Sequence, residues 1–467
     1  MDTATQSHIR DLFEGVKKHA LVLRNSSISD RKTKLKKLEN WIMDNRKEIK
    51  DAVYQDLQKP HEETDLTEVF VVLSEIRKAR KNLKQWMMPK PASASITYLG
   101  TKAETFYEPK GACLIIAPWN YPFQLAVGPL VSAIAAGNSV IIKPSEFSEN
   151  TSELIQRMCS DVFKPEEVGV VLGAIKESQE LLSLPFDHIF FTGSPQVGKI
   201  VMEAASKHLT SVTLELGGKS PTIVDRSANI KDAAQKIAWG KWQNAGQVCI
   251  APDYLFVHDD VKKKLIEEEL VVQSEKLYGN KEMYGGIISR HHHNRINDLM
   301  ADAINKGADI EFGGKSDRDN LRFTPTLLSN VSKDSRVMEE EIFGPILPLM
   351  SYSEIDEVID FINRKPKPLA LYIFSKKKSI ISKIKKSTSS GMMTINDVVL
   401  QFAHPNLPIG GVNNSGIGKA HGHTGFIAFS NEKAVVKQRV GLTMAKTVYP
   451  PYSAFKKFMI DFMVKYF

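Results

Sequence analysis

The hydrophobic positions divide the chain into a helical beginning and a longer region in which strands and helices alternate. In the first ninety residues, apolar positions recur every three or four residues, as at Leu35, Leu38 and Ile42, which predicts amphipathic helices. From about residue 105, short apolar runs, the first of them at 113–117, alternate with helical patterns. Repeated strand–helix–strand units predict a doubly wound parallel sheet that binds ligands at the carboxyl ends of its strands.

The longest stretch without a charged residue runs from position 111 to position 142. It is long enough for a transmembrane helix. However, Pro118, Pro122 and Pro129 interrupt it, and proline breaks or kinks a continuous helix. We therefore predict a buried strand, loop, helix and strand in the middle of a parallel sheet.

Composition fits a soluble protein of two or three domains. The chain has 467 residues, of which 42% are hydrophobic, and a net charge of +8 spread along its length. We find no nucleic-acid motif, and the charged N-terminus does not resemble a secretory signal. Only Cys113, Cys159 and Cys249 are cysteines, which argues against a disulfide framework. The expected location is the cytoplasm.

Two segments contain a candidate nucleophile and a candidate base. Cys249 follows a turn that contains Gly246, so its sulfur is either presented to a cleft or buried as a small hydrophobe. In the strand pattern around Glu215, Leu214 and Leu216 face the core and Glu215 faces the other way. Local sequence allows either a general base or a solvated glutamate at a sheet edge.

Three further segments bear on ligand binding. The segment 192–199 follows a strand and opens a helix, which suits either phosphate binding or a plain helix cap. Asn120 lies between two prolines and is either an oxyanion donor or a turn residue. The sequence Gly218-Lys219-Ser220 imitates the end of a P-loop, but Thr213 stands where that motif requires glycine. We reject the P-loop interpretation.

Taken together, the segments resemble the aldehyde dehydrogenase superfamily, and within it the shorter class 3 and fatty aldehyde group. The resemblance extends from about residue 10 to residue 440. The motifs that carry it occur in family order. They are PWNYPFQL, AAGNSVIIKPSE, FTGSPQVGK, VTLELGGKSP, GQVCIAPDY, EEEIFGPILP and PIGGVNNSGIG.

The resemblance implies NAD(P)-dependent oxidation of aldehydes to carboxylic acids through a thioester on Cys249. Asn120 and the backbone N–H of Cys249 would stabilise the oxyanion, and Glu215 would activate the hydrolytic water. The resemblance suggests medium or long aliphatic aldehydes, or aromatic or polyene ones. The loop 401–406 is unusual for the group and is expected to shape the aldehyde pocket.

The resemblance also assigns the cofactor site. Trp119 would line it, Lys143 and Glu146 would approach the adenosine ribose, and other residues would contact the rest of the dinucleotide. The phosphate-binding helix start would comprise Gly193, Ser194 and Gly198, and the nicotinamide ribose and ring would contact Glu341 and Phe343. The charge of Glu146 favours NAD, whereas Lys143 leaves NADP open. The mechanism needs no metal.

By the same resemblance, we expect an α/β fold with a doubly wound parallel-sheet dinucleotide-binding domain, an α/β catalytic domain and a small β bridging element. The NAD(P)-binding domain would comprise residues 1–84 and 105–214, and the catalytic domain residues 215–405. The bridging and oligomerisation arm would comprise residues 85–104 and 406–440. A homodimer is the expected assembly.

Two features leave alternatives open. The run of histidines at 291–293 suggests a metal site, but we favour an exposed, solvated helix. In the tail of residues 441–467, Phe455, Phe458 and Phe462 belong to a helical stripe with lysines beside it. This helix docks on the protein or its dimer mate, covers a long-chain aldehyde tunnel, or makes peripheral contact with a membrane.

Two other classes of function use the same residues. A cysteine esterase or thioesterase would use Cys249 and Glu215 without a dinucleotide. An inactive scaffold would need neither residue, and the presence of Cys249, Glu215, Asn120 and Glu341 together argues against it. A requirement for NAD in acid production separates the oxidoreductase from the esterase.

Overall fold

The structure is a computed structural model that describes residues 3–93, 98, 100–441 and 443–466. Strands and helices alternate through most of it, as the hydrophobic pattern predicts. The strands are β1 (Lys90–Pro91), β2 (Thr101–Pro109), β3 (Ala112–Ile116), β4 (Ser139–Lys143), β5 (Val168–Val170), β6 (His188–Thr192), β7 (Ser211–Glu215), β8 (Pro221–Val224), β9 (Tyr254–His258), β10 (Asp309–Phe312), β11 (Ser316–Asp317), β12 (Arg322–Phe323), β13 (Thr326–Ser329), β14 (Ile346–Tyr352), β15 (Ala370–Phe374), β16 (Met392–Ile395), β17 (Gly416–Ile417) and β18 (Ser430–Gln438).

The helices surround these strands. They are α1 (Thr3–Leu23), α2 (Ile28–Asp44), α3 (Arg46–Leu57), α4 (His61–Thr64), α5 (Phe70–Met87), α6 (Gln124–Ala136), α7 (Glu149–Val162), α8 (Ile175–Leu182), α9 (Pro195–Ser206), α10 (Ile230–Trp242), α11 (Asp259–Lys263), α12 (Val271–Tyr278), α13 (Arg290–Asn305), α14 (Arg336–Glu339), α15 (Ile355–Arg364), α16 (Lys378–Ser387), α17 (Leu400–Ala403), α18 (Gly422–Ala428) and α19 (Ala454–Tyr466). Short 3₁₀ turns occur at Gln243–Gly246, Lys281–Met283 and Met444–Val448, and wider π-type turns at Asp65–Val69 and Lys264–Leu270.

The first large sheet has six strands in the order β17-β7-β6-β3-β4-β5. All neighbours are parallel except β17, which runs antiparallel to β7. Helices α1, α8 and α9 supply the core on one face, and α2, α5, α6 and α7 supply the core on the other. The chain order reverses between β3 and β6, and such a reversal opens a crevice at the carboxyl ends of the strands.

The stretch without charges forms the middle of this sheet, as predicted: it contains β3, α6 and β4. Helix α6 is buried around most of its surface and ends at Gly137, whose φ of 91° is left-handed. The buried Arg31 guanidinium donates to the carbonyls of Ala135 and Ala136 at 3.1 and 2.7 Å, so it satisfies carbonyls that the helix end leaves free. Within the described residues, no helix is both long and apolar enough to cross a membrane.

The second large sheet has seven strands in the order β10-β13-β14-β9-β8-β15-β16. Its strands are parallel except for β10, which runs antiparallel to β13. The largest hydrophobic core of the described chain surrounds this sheet and includes α10. Two parallel sheets, each covered by helices, confirm the predicted α/β fold class.

A small antiparallel sheet of the order β1-β2-β18 matches the predicted β bridging element. The structure divides the predicted segment 406–440 among three places. Strand β17 joins the six-stranded sheet, α18 packs on α6, and β18 joins the small antiparallel sheet. Residues 94–97 and 99 of the predicted arm, and residues 442 and 467 of the predicted tail, lie outside the described residues. The proposed domain boundaries stay a prediction.

The predicted C-terminal helix is present as α19 and has no buried residue. It packs against the 3₁₀ turn 444–448, and Lys456 Nζ donates to the Tyr449 carbonyl at 2.6 Å. Phe455 and Phe458 are 67% and 64% exposed. Within the described chain, the helix therefore does not bury its apolar residues on its own protein. Docking on a dimer mate, a lid over a tunnel and membrane contact stay predictions.

Candidate active site

A strained turn presents Cys249. Helix α10 ends at Trp242, and Asn244 and Ala245 then adopt φ values of 49° and 52°. The left-handed region is unfavourable for residues with a side chain and is held only where the surroundings impose it. At Gly246, also left-handed, a side chain would collide with the Gly344 carbonyl. The turn therefore packs tightly, and it leaves Cys249 half-buried at a cavity.

The electrostatic surroundings of Cys249 do not favour the thiolate. Burial, with the nearby carboxylates of Glu341 and Glu215, raises the pKa of the Cys249 thiol to about 12. A nucleophilic cysteine usually has a lowered pKa. In this structure the thiol is therefore protonated at neutral pH, and its activation needs a base or a positive charge brought to the site.

Glu215 lies at the carboxyl end of β7, on the face opposite Leu214, as the alternation predicts. Because β17 pairs with β7, the strand is not an edge, and the alternative of a solvated edge glutamate is wrong. Glu215 Oε1 is buried without a hydrogen-bond partner among the described residues. Burial raises the pKa of Glu215 to about 8, and the Lys419 ammonium opposes the shift. A carboxylate with that pKa is a much stronger base than usual.

Asn120 is buried in the loop after β3 and faces the turn that presents Cys249. Its Nδ2 donates to the Gln247 carbonyl at 2.9 Å, and its own carbonyl accepts from Asn244 Nδ2 at 2.8 Å. An amide nitrogen carries two hydrogens. The contact to Gln247 uses one of them.

Two cavities share Cys249 as a wall residue. The smaller, of about 40 Å³, is also lined by Glu215. The larger, of about 280 Å³, is lined almost entirely by apolar side chains, among them Phe70, Leu125 and Trp239. Phe402 and Ala403 also line it, so the loop 401–406 contributes to this cavity, as predicted. The sulfur thus lies between a carboxylate and an apolar chamber.

Lys143 and Glu146 lie at the carboxyl end of β4. The Lys143 side chain is 2% exposed, and its Nζ lies 3.6 Å from Glu146 Oε2 and donates to the Pro144 carbonyl at 2.7 Å. Burial lowers the pKa of Lys143. A fixed ammonium and an accessible carboxylate side by side suit the hydroxyl groups of a ribose.

The segment after β6 caps helix α9. Ser194 is the N-cap residue, and its hydroxyl accepts from the Val197 N–H at 3.3 Å, with Pro195 in the first turn. The Gly193 N–H donates to the Glu215 carbonyl at 3.0 Å. At Gly198, a Cβ would lie 2.7 Å from Leu216 Cδ2, so this glycine allows close packing of α9 on β7.

Glu341 and Phe343 lie in the loop between α14 and β14, and this loop contacts Trp119. Glu341 Oε1 is buried and has no partner within the described part of the chain, and burial raises the Glu341 pKa to about 8. Phe343 has a φ of 44°, and its ring lies 5.3 Å from that of Trp119 at 87°. A buried carboxylate oxygen without a donor fits the hydroxyls of a nicotinamide ribose, and the aromatic pair fits a planar ring.

Sequence reasoning missed the residues that hold the loop around Glu341. Lys219 Nζ binds the Asp253 carboxylate and donates to the Val337 and Glu340 carbonyls at 2.6 and 2.8 Å. Asp253 Oδ1 accepts from the Ile342 N–H at 3.0 Å. Lys219 comes directly after two glycines, so the sequence around it imitates the end of a P-loop. In the structure its ammonium instead holds the loop that carries Glu341.

Two further residues lacked a sequence signal. Arg295 donates to the carbonyls of Glu341 and Ile342 at 3.2 and 2.6 Å. Lys419 donates to the Gly410 and Gly411 carbonyls at 2.5 and 2.9 Å, beside Glu215. Arg295 lies 46 residues before Glu341 in the chain. Isolated charged residues of this kind are indistinguishable from solvated ones by pattern.

The prediction of an exposed histidine run is wrong for two of the three residues. His291 is exposed on α13, but His293 is fully buried, with Nε2 3.2 Å from the Arg322 carbonyl. The His292 ring lies 4.8 Å from the Trp119 ring. The described residues contain no group of three or more His, Cys, Asp or Glu able to hold a metal ion.

Comparison with known proteins assigns most of the chain to one protein family. The model of the aldehyde dehydrogenase family matches residues 1–435. The 4,4'-diaponeurosporen-aldehyde dehydrogenase of Staphylococcus aureus is 44% identical over 443 residues, 94% of this chain and 95% of that protein. Mouse aldehyde dehydrogenase family 3 member A2 is 41% identical over 438 residues, 93% of this chain and 89% of that protein.

Solved structures agree with the sequence relatives. The substrate-bound Staphylococcus aureus AldH has a TM-score of 0.94 and 43% identity, covering 97% of this chain and 99% of that one. The dinucleotide-binding fold and these relatives make the chain an oxidoreductase that acts on aldehydes with NAD or NADP. The chain therefore belongs to the aldehyde dehydrogenase family.

Proposed function

We propose that this enzyme oxidises medium- and long-chain aliphatic or polyene aldehydes to carboxylic acids through a thioester on Cys249. The observation that carries the proposal is the position of Cys249 between the Glu215 side chain and the apolar cavity of about 280 Å³. An aldehyde with an apolar chain gains from burying that chain there. The relative that is named for a polyene aldehyde supports this substrate class.

In the proposed chemistry, the Cys249 thiol releases its proton to solvent, and the sulfur attacks the aldehyde carbon. The free Nδ2 hydrogen of Asn120 and the backbone N–H of Cys249 stabilise the oxyanion of the thiohemiacetal. A dinucleotide held at this site would supply the hydride acceptor, and loss of the hydride leaves a thioester on the Cys249 sulfur. Glu215 then takes a proton from water, and the resulting hydroxide releases the acid and the thiolate.

For the cofactor we propose NAD. Glu146, beside Lys143, would accept hydrogen bonds from the adenosine ribose, and its negative charge would disfavour a 2′-phosphate. Gly193 and Ser194, at the N-terminal turn of α9, would hold the phosphates, and Gly198 allows that helix to pack close to the sheet. Glu341 would hold the nicotinamide ribose, and Phe343 and Trp119 would contact the ring. Matched measurements of KM for NAD and NADP test the preference.

The central test compares wild type with Cys249→Ala on saturated aldehydes of graded chain length, with and without NAD. We expect acid formation to require NAD and to disappear in Cys249→Ala, and kcat/KM to rise with chain length. Cys159→Ala is the matched control, because that cysteine is buried away from the site and should leave the rate unchanged. Acid formation without NAD would favour the esterase, and an active Cys249→Ala would refute the mechanism.

We also propose a cytoplasmic homodimer that makes peripheral membrane contact through α19. The helix exposes Phe455 and Phe458 to solvent beside Lys456 and Lys457, a combination that suits the surface of an anionic bilayer. Truncation after Ser453 should abolish sedimentation with vesicles that contain anionic lipid. Unchanged sedimentation would refute the contact, and unchanged long-chain kinetics in the same variant would reject a lid role for the helix.

A further inference from the structure

A buried ion pair lies directly behind the loop that carries Asn120. Lys59 and Glu68 are both fully enclosed, and Lys59 Nζ lies 2.7 Å from Glu68 Oε1. Removing two charges from water is costly, and their attraction offsets that cost only where further hydrogen bonds satisfy the remaining donors and acceptors. The groups that satisfy this pair therefore indicate what it holds in place.

Lys59 binds the beginning of the loop. Its Nζ donates to the Asn120 carbonyl at 3.2 Å and lies 4.0 Å from the centroid of the Tyr121 ring. The ring face offers the ammonium a second favourable contact in a place where water has no access. The lysine thus holds two consecutive residues of the loop, and one of them carries the amide proposed for the oxyanion.

Glu68 binds the end of the same loop. Its Oε2 accepts from the backbone N–H groups of Phe123 and Gln124 at 2.9 and 3.2 Å. These groups lie at the start of α6, where the helix has free donors and a partial positive charge. One ion pair therefore fixes both ends of the segment 120–124.

A second carboxylate from the same part of the chain fixes the turn before Cys249. Glu63 Oε1 accepts from the Asn244 N–H at 2.8 Å, and Asn244 Nδ2 donates to the Asn120 carbonyl. Gln247 Nε2 donates to the Asn244 carbonyl at 2.9 Å, and the Gln247 carbonyl accepts from Asn120 Nδ2. The loop and the turn are thus joined by a continuous set of hydrogen bonds.

We propose that Lys59 and Glu68 are positioning residues for catalysis, which hold the Asn120 amide at a fixed place relative to Cys249. This inference rests on the proposed function, because it assumes that the Asn120 amide stabilises the oxyanion at the sulfur. Neither residue touches the cavities that Cys249 lines, so the effect passes through the loop. A misplacement of about 1 Å in such a group costs about 100-fold in rate.

The test uses the neutral pair Lys59→Met/Glu68→Gln, which removes both charges and keeps an acceptor for the N–H groups of the loop. The full-length double variant should fold, because it removes both partners of the buried ion pair together. We expect its kcat to fall by about 10- to 100-fold, with the rapid first turnover of NADH slowed equally. NADH affinity, measured by fluorescence titration, should stay within about twofold of wild type, since the supports of Glu341 are intact.

A double-mutant cycle with Asn120→Ala separates positioning from general destabilisation. If the pair acts through the amide, the pair substitution should change kcat by less than about twofold in the Asn120→Ala background. Glu39→Gln is the control, because Glu39 is a buried carboxylate that binds Arg77 and Arg80 and, within the described residues, makes no hydrogen bond to the loop that carries Asn120. It should lower the melting temperature, leave kcat unchanged and show no coupling to Asn120→Ala.

Two results would overturn the inference: a kcat of the pair variant within about twofold of wild type, or a rate loss that multiplies fully with that of Asn120→Ala. An Asn120→Ala enzyme with full activity would also overturn it. Failure of the proposed function has a different signature, which is persistent acid formation by Cys249→Ala. Because the two signatures come from different variants, each failure can be recognised separately.

Discussion

Four carboxylates at and behind the site fall into two groups that differ in their partners. In the first group, which we call the open carboxylates, one oxygen of Glu215 and of Glu341 has no hydrogen-bond partner within the described residues. In the second group, which we call the paired carboxylates, Glu68 and Asp253 each bind a lysine and backbone N–H groups. The open group lines the site, and the paired group lies behind it.

The difference follows from what each group must do. A carboxylate that is fully hydrogen-bonded keeps its charge and fixes a loop, but it has no lone pair left for water or a ribose. Burial raises the pKa of Glu215 and of Glu341 to about 8, and the oxygen of each that has no partner is ready to accept a proton or a hydrogen bond from a hydroxyl. The carboxylates proposed to react therefore each keep one oxygen without a hydrogen-bond partner within the described residues, and the carboxylates behind them have their hydrogen bonds filled.

The largest expected effect is on hydrolysis. Glu215→Gln removes the base but keeps the shape of the side chain, so the steady-state rate should fall about 1,000-fold. The first turnover of NADH should persist, because thioester formation precedes the step that needs the base. Rapid-mixing absorbance of NADH measures both phases. A variant with an undiminished steady-state rate would remove Glu215 from the base role.

The next effect is on stability, through a paired carboxylate. Asp253→Asn leaves Lys219 buried without its partner, which should lower the free energy of unfolding by about 3 kcal/mol. Asp356→Asn is the control, since the Asp356–Lys383 pair is exposed and such pairs contribute little. Denaturant titration of both variants decides the matter. Equal losses of unfolding free energy in the two variants would show that the buried pair stabilises the fold no more than the exposed pair does.

Neutralising an open carboxylate should have the opposite effect from neutralising a paired one, because it should raise the free energy of unfolding. The folded protein keeps the Glu215 proton up to a pH of about 8, whereas the ordinary pKa is 4.5. Between these values, unfolding releases a proton, so the free energy of unfolding falls as the pH rises. Glu215→Gln should therefore be more stable than wild type above pH 8, by about 2–4 kcal/mol.

This gain should disappear below pH 4.5, where the carboxyl is protonated in both the folded and the unfolded states. Melting curves of wild type and Glu215→Gln at pH 4, 6 and 9 measure it. Glu341→Gln should behave in the same way, because its pKa is raised similarly. A constant difference between variant and wild type at all three pH values would contradict the raised pKa.

The smallest expected effect is the pH dependence of hydrolysis itself. The decay of a preformed thioester should rise about tenfold per pH unit below 8 and level off above it, because only ionised Glu215 takes a proton from water. Single-turnover decay of the acyl-enzyme isolates this step from the ionisation of the Cys249 thiol. In Glu215→Gln the profile should be flat, and a retained slope would assign the titration to another group.

Much of the fold could be predicted because it depends on local pattern. The alternation of apolar runs and helical segments predicted the two sheets, and the prolines between residues 111 and 142 excluded a membrane helix there. The alternation around Glu215 correctly predicted which face of β7 carries the carboxylate. What it could not predict was that β17, some 200 residues later, covers that strand.

The sequence by itself determined the α/β architecture, the order of the motifs and the side chains available for chemistry, since periodicity and residue type are local properties. Only the tertiary structure decided which distant backbone groups the buried cations hold: Lys59 donates to the carbonyl of Asn120, 61 residues later, and Arg295 donates to that of Glu341, 46 residues later. The physical reason is that such contacts depend on backbone conformations such as the left-handed Asn244 and Phe343. These conformations are unfavourable locally and exist because the packing around them imposes them.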